Sequence, residues 1–320
     1  MERVSEMKAL VTGGNGFIGS QLLKTLASNG YSLRILARKS NTNYETVVCN
    51  LENEAIPESA LDSIDIVFHL AGYAHDLANT TNKEHIYRNV NVNATANLIK
   101  IANRKGVKRF IYISSVKAGG IIVSNRCMSE DDQGIPKDIY GLTKREAELK
   151  VLDFGKKFNM HVAIIRPTLV YGLGMKGNLS VMLNGVRGGW FPPLPKINNR
   201  RSMICVNDLV EAILLVTKDS RANGGIYIAT DDFQYSSREI YEIMCKVTNK
   251  PIPNFSVPLV IFSLMAKIGD VIGFIPFSSF SFQKLLGSEC YSMKKLKKLG
   301  FKPKYNLLSS LEDKVEHDKH

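Results

Sequence analysis

The chain has 320 residues, 44% hydrophobic and 22% charged, which fits one large or two ordinary globular domains and excludes disorder, collagen and coiled coil. Its 42 Lys plus Arg against 30 Asp plus Glu leave +12, which favours an anionic partner without choosing its class. Five scattered cysteines argue against a disulfide framework or zinc ribbon, and six histidines form no H-E-x-x-H pattern, so no metal is expected and a reducing, cytoplasmic setting fits best.

Residues 1–8 carry charges of both signs and read as no signal peptide. Strand and helix patterns then alternate. Lys8–Thr12 is a short apolar run, and residues 16–28 bring Phe17, Leu22, Leu23 and Leu26 to helical spacing before Asn29-Gly30 stops the helix. Ser32–Ala37 and 64–70 read as strands, 91–104 as a helix ended by Gly106, and 109–114 as the next strand. Asp138 is placed to cap a helix through Lys157, followed by a strand over 161–166 and the breaker Pro167.

Such alternation implies an α/β fold, a doubly wound parallel sheet with helices on both faces. A Gly-, Pro- and Asn-rich region starts near Leu173, while 206–216 (helix) and Gly225–Ala229 (strand) are expected to return to the first domain. The expected division is 1–172 plus about 206–231, and about 173–205 plus 232–320.

Residues 257–277 are apolar apart from Lys267 and Asp270. Two central charges are costly in a spanning helix, so the stretch reads first as a helix packed in the second domain. Its second reading is an interfacial helix in peripheral contact with a membrane, beside a C-terminal region with eleven lysines against six acids over 250–320.

After the first strand, residues 12–19 form a G-x-x-G-x-x-G run that opens a helix. Glycine there permits a tight turn and close backbone approach to a pyrophosphate, which the free N–H groups of the helix then receive. Gly13, Asn15, Gly16, Phe17, Ile18 and Gly19 are therefore candidate dinucleotide contacts. The acidic residue that would take an NAD ribose is missing, and Arg38 stands where a guanidinium can pair with a 2′-phosphate, favouring NADP over NAD.

Tyr140 and Lys144 are i and i+4 on one helix. A phenol with a free pKa of about 10 needs a nearby cation to move its proton within working range. Ser114-Ser115 follows a β-rich strand at its carboxyl end, where α/β sheets bind ligands.

These motifs, with those at 65–72, 91–95, 166–172 and 201–208, resemble the extended short-chain dehydrogenase/reductases, specifically the NAD-dependent epimerase/dehydratase group acting on nucleotide sugars. The resemblance implies a Rossmann-like domain with a smaller C-terminal α/β substrate domain, and a homodimer formed through helices of the first. It implies Tyr140 as acid/base, Lys144 holding the nicotinamide ribose and tuning Tyr140, and Ser115 bonding the sugar oxygen. Further implied cofactor contacts are Asn50, Leu51, Leu70, Ala71, Gly72, Asn91, Ser114 and Pro167. Arg201 would grip the nucleotide diphosphate and Asn178 would touch the sugar.

Three departures stand out: Gly119 replaces a common aromatic, Asn50 replaces an adenine-side aspartate, and 250–320 lacks a second diphosphate-binding arginine. The pattern therefore looks closer to reductases of UDP-4-keto-6-deoxy-N-acetylhexosamines in O-antigen and capsule synthesis, with a UDP-hexose 4-epimerase holding NAD as the alternative. A dehydratase fits less, since no acidic pair follows Ser115. A non-catalytic NAD(P)-sensing protein is the third reading, opposed by the intact Ser115, Tyr140 and Lys144. No nucleic-acid-binding motif is present.

Overall fold

The computed structural model describes residues 7–74, 83–120, 126–272 and 285–317, with the backbone alone for 265–266, 268–272 and 313–317. His75 and the last part of the 257–277 stretch lie outside them. The chain divides into two compact units. One takes residues up to Thr168 with Leu209–Ala229 and Met293–Lys302; the other takes Leu169–Asp208, Thr230–Ser292 and Pro303 onward.

The first unit is built on seven parallel strands: β1 (Lys8–Thr12), β2 (Ser32–Ala37), β3 (Glu45–Val48), β4 (Ile66–His69), β5 (Arg109–Ile113), β6 (His161–Pro167) and β9 (Gly225–Ala229). Their order is β3-β2-β1-β4-β5-β6-β9. Buried residues run without alternation along β1, β4, β5 and β6, as in a sheet covered on both faces. Leu10, Leu36, Val67, Phe110 and Ile164 pack on one face with Leu98 and Ile99 of α3 (Ala94–Arg104) and Ala147 and Val151 of α4 (Ile139–Phe158). Ile35 points the other way, and α1 (Phe17–Ser28) covers it with Leu23 near Gly14. This is the Rossmann-like arrangement that the alternation implied.

Local signals explain the helix ends. Asp138 caps α4, its carboxylate accepting from Gly141 N at 2.7 Å, and Gly30 and Gly106 take left-handed backbone after α1 and α3. Strand β3 has no strong apolar period, and the sequence reading passed over it. It is held by Arg34 of β2, whose guanidinium donates to Glu45 at 2.6 Å and to the carbonyls of Ser59, Ala60 and Asp62.

In the second unit, β7 (Leu169–Tyr171), β8 (Arg201–Cys205) and β10 (Gln234–Tyr235) form a small mixed sheet in the order β10-β8-β7. Beside it lie α5 (Asn178–Arg187), α7 (Ser237–Val247, with a Ser236/Glu239 capping box) and α8 (Leu259–Ile272). Helix α6 (Val206–Lys218) carries the chain from β8 toward β9. Cys49, Cys205 and Cys245 are free and buried. Cys127 and Cys290 are each disulfide-bonded, where the sequence argued against a disulfide framework.

Candidate active site

The parallel sheet directs four loops to one edge: those after β1, β4, β5 and β6 all leave from carboxyl ends. The strand order reverses between β1 and β4, and ligand crevices in open α/β sheets form at such a point. Gly13–Gly19, Leu70–Gly72, Ser114 with Ser115, and Pro167 lie at those four strand ends.

Gly13 turns with φ of +73°, and a Cβ on it would stand 2.8 Å from Ala71 N. The glycine loop thus closes directly against the end of β4, so the Leu70–Gly72 backbone borders it. Gly16 N donates back to Gly13 O at 3.0 Å, and α1 starts with neither a side-chain cap nor an acidic first turn. Its first N–H groups and positive helix end stay open to an anion. Asn15 is exposed, Phe17 and Ile18 are half-buried, and Gly19 is buried. Asn15 Oδ1 accepts from Asn41 Nδ2 at 2.8 Å, which ties the loop to the segment after β2. Arg38 is exposed at the end of β2. Asn50 sits in the turn after β3, its side chain accepting from Glu52 N and its N–H donating to Glu54, with Leu51 half-buried beside it.

A buried polar chain, only partly foreseen from sequence, fixes the floor. Ala71 N donates to Thr12 Oγ1 at 3.1 Å, Thr12 Oγ1 meets His69 Nδ1 at 2.6 Å, and His69 Nε2 meets Thr95 Oγ1 at 2.8 Å. Thr95 in turn donates to Asn91 O. These directions make His69 an Nε2–H tautomer. Burial, with nearby Lys144, drives its pKa down to about 3, so it is a neutral structural bridge without an acid/base role. Asn91 lies in a π-helical turn over Arg88–Asn93, directly after α2 (Glu84–Tyr87), and is fully buried; its amide bonds both Tyr73 N and O and donates to Thr143 Oγ1 at 3.0 Å. π-turns of this kind often aim side chains at functional sites.

Ser115 stands beside Tyr140 and favours its phenolate. Ser115 also caps the short turn Val116–Gly119, accepting from Lys117 N at 3.2 Å. That turn comes so near α4 that a Cβ on Gly141 would stand 2.7 Å from Lys117 O; glycine after Tyr140 permits the approach. Lys144 is 2% exposed, donates to Ile113 O at 2.7 Å and lies 4.3 Å from the centre of the Tyr112 ring. It borders Gly72 as well, where a Cβ would be 3.7 Å from its Nζ. Burial raises the Tyr140 phenol to about 12 against the pull of Ser115, and lowers the Lys144 ammonium to about 7 against the support of Glu148. Ser114 Oγ is buried and has no hydrogen-bond partner among the described residues, so it is a donor and acceptor open to a ligand.

An exposed helix start, a close glycine turn and an unpaired buried hydroxyl together suit a dinucleotide. Pro167 is buried as the last residue of β6. Thr143, Tyr112 and Glu148 were missed as supports of the site. The first two carry no motif, whereas Glu148 follows Lys144 by four residues and shares its helix face. Gly119, the departure from the resemblance, faces Arg166, and a Cβ there would stand 3.1 Å from Nη1.

Two substrate-side candidates belong to the second unit. Asn178 is exposed as the first residue of α5, after Gly177 at φ of +74°. Arg201 opens β8, half-buried, its Nη1 donating to the carbonyls of Leu285 and Gly287 at 3.3 Å each.

Among curated proteins, the chain is 31% identical over 274 residues to UDP-glucose 4-epimerase of Vibrio cholerae, covering 83% of this chain and 84% of that one. It is 26% identical over 318 residues to N-acetyl-alpha-D-glucosaminyl-diphospho-ditrans,octacis-undecaprenol 4-epimerase of Escherichia coli O157:H7, covering 97% and 94%. MoeE5, solved with UDP-glucose and NAD, shares the fold with a TM-score of 0.77 at 23% identity over 98% of both chains. The model of the NAD dependent epimerase/dehydratase family matches residues 9–229, and the chain belongs to that family.

Proposed function

We propose that this enzyme carries out hydride chemistry at C4 of a UDP-hexose derivative, first as a 4-reductase of a UDP-4-keto-6-deoxy-N-acetylhexosamine. The observation that carries the reading is the placement of Ser115 beside Tyr140, with the buried Lys144 one helical turn away. A nicotinamide dinucleotide, when bound, would supply the hydride. Ser115 holds the C4 oxygen, and Tyr140, protonated throughout the neutral range, donates the proton that converts it to a hydroxyl. Lys144 holds the nicotinamide ribose and steadies Tyr140 as the proton leaves.

The glycine loop with Leu70, Ala71, Gly72, Asn91, Ser114 and Pro167 would hold the dinucleotide, with Asn50 and Leu51 at its adenine side. Arg38 pairs with a 2′-phosphate and selects NADP. In the second unit, Asn178 touches the sugar and Arg201 the diphosphate. A cytoplasmic homodimer completes the reading.

The second reading is a UDP-hexose 4-epimerase with retained NAD, favoured by the two curated relatives, both named as 4-epimerases. One assay separates them. With a UDP-4-keto-6-deoxy sugar and NADPH, a reductase consumes both in equal amounts. An epimerase interconverts UDP-hexoses with no net redox change. Neither outcome in the purified protein would end the proposal.

A further inference from the structure

Helix α8 is apolar almost all round, with Lys267 and Asp270 its charged residues. A helix of that kind is normally covered on every side. Phe262, 1% exposed, anchors α8, yet Val260 is 79% and Leu264 59% exposed, flanked by half-exposed Leu259 and Ile261. Val260, Leu264 and Lys267 stand at i, i+4 and i+7, so they share one stripe, and Lys267 is exposed on it.

The approach to the helix is fixed in place. Buried Arg238 donates to Pro253 O at 2.8 Å and to Leu194 O at 2.9 Å, and Val257 N donates to Pro193 O at 3.1 Å. That loop presents Phe255, which is 67% exposed. Within ten residues of chain, an aromatic and four large aliphatic side chains are thus exposed to water.

Charge selects what covers them. Residues 243–272 carry three lysines, Lys246, Lys250 and Lys267, all exposed, against the single acid Asp270. A second copy laid on the stripe would bring Lys267 against apolar side chains, with Asp270 the one acid of this segment to set against three lysines. At a bilayer, aliphatic side chains sink below the phosphates while a lysine reaches up to them. Among the described residues, no helix is long and apolar enough to cross a membrane. We propose that the Val260–Leu264–Lys267 stripe, with Phe255, docks this protein flat on an anionic phospholipid surface. The inference does not depend on which sugar the active site takes.

The test is co-sedimentation of the full chain with vesicles of phosphatidylcholine, with and without phosphatidylglycerol. The protein should pellet with the mixed vesicles and be released by high salt or by omission of the anionic lipid. Val260→Glu combined with Leu264→Glu should weaken retention about tenfold or more, and Lys267→Glu should weaken it on mixed vesicles, all with unchanged melting and turnover of a soluble substrate. No retention on mixed vesicles, or equal retention of the double variant, would overturn the proposal. So would a wild-type dimer that the double variant splits in sedimentation velocity, because the stripe would then be an interface between copies.

Discussion

Glu148 holds Arg166 in a bidentate pair, Oε1 at 2.8 Å from Nε and Oε2 at 2.6 Å from Nη2, with both side chains almost completely buried. Glu148 lies one turn beyond Lys144 on α4, and Arg166 is the penultimate residue of β6. The pair therefore ties the helix that carries Tyr140 and Lys144 to the strand whose end borders the site. A Cβ at position 119 would stand 3.1 Å from Arg166 Nη1, so a side chain there would require the paired guanidinium to shift by a few tenths of an ångström. Removing one partner leaves the other as a buried unpaired charge. Glu148→Gln should cost about 3 kcal/mol and lower the melting temperature by several degrees. Glu148→Leu with Arg166→Met should recover most of that loss; a double variant no better than the single would show that packing, not charge pairing, matters.

Lys144 gives a prediction with a definite sign. Its folded pKa, about 7, lies below the unfolded value, so the unfolded chain binds more protons between the two. The destabilisation from burying its charge is fully present below about pH 7 and fades as pH rises toward 10. Lys144→Met should therefore melt higher than wild type at pH 6, with the difference shrinking by pH 9. A difference that grows with pH would contradict the assignment. Activity should be lost at every pH.

Much of the first unit was readable because its signals are local. Apolar runs, glycine stops and the Asp138 cap each depend on near neighbours, and the structure keeps those elements within a residue or two, except that the helix read from 91 becomes α-helical only at Ala94, after a π-helical turn. The Tyr140/Lys144 pair was readable as well, because helical spacing fixes it. What escaped depends on tertiary contact. Strand β3 is held by Arg34 rather than by its own pattern, and the Thr12–His69–Thr95 chain joins residues far apart in sequence. In the second unit, β7 and β10 are three and two residues long, too short for a period-two pattern to stand out.

Arg38 offers a direct test of cofactor choice. Its guanidinium is exposed at the end of β2 and free to meet a 2′-phosphate. Arg38→Glu should weaken NADP binding by roughly tenfold to a hundredfold and leave NAD binding nearly unchanged, as read by calorimetry. Equal losses for the two nucleotides, or tighter binding of NAD by the wild-type chain, would remove the NADP preference.

Tyr140→Phe keeps the ring and deletes the proton. Turnover should drop about 10²- to 10⁴-fold while the dissociation constant for the dinucleotide changes little. Ser115→Ala should lower turnover in the same direction, since Ser115 stands beside Tyr140 and favours its phenolate. Near-normal rates in Tyr140→Phe would remove it from the chemistry.

Isotope transfer tests the central claim most directly. The wild-type enzyme and Tyr140→Phe would each be given a UDP-4-keto-6-deoxy-N-acetylhexosamine with NADPH deuterated at the nicotinamide C4, and the sugar product read by mass spectrometry and proton NMR. Deuterium at C4 of the sugar in wild type, nearly absent in Tyr140→Phe, is the expected result. A wild-type product carrying no deuterium at C4, together with no interconversion of UDP-hexoses, would contradict it.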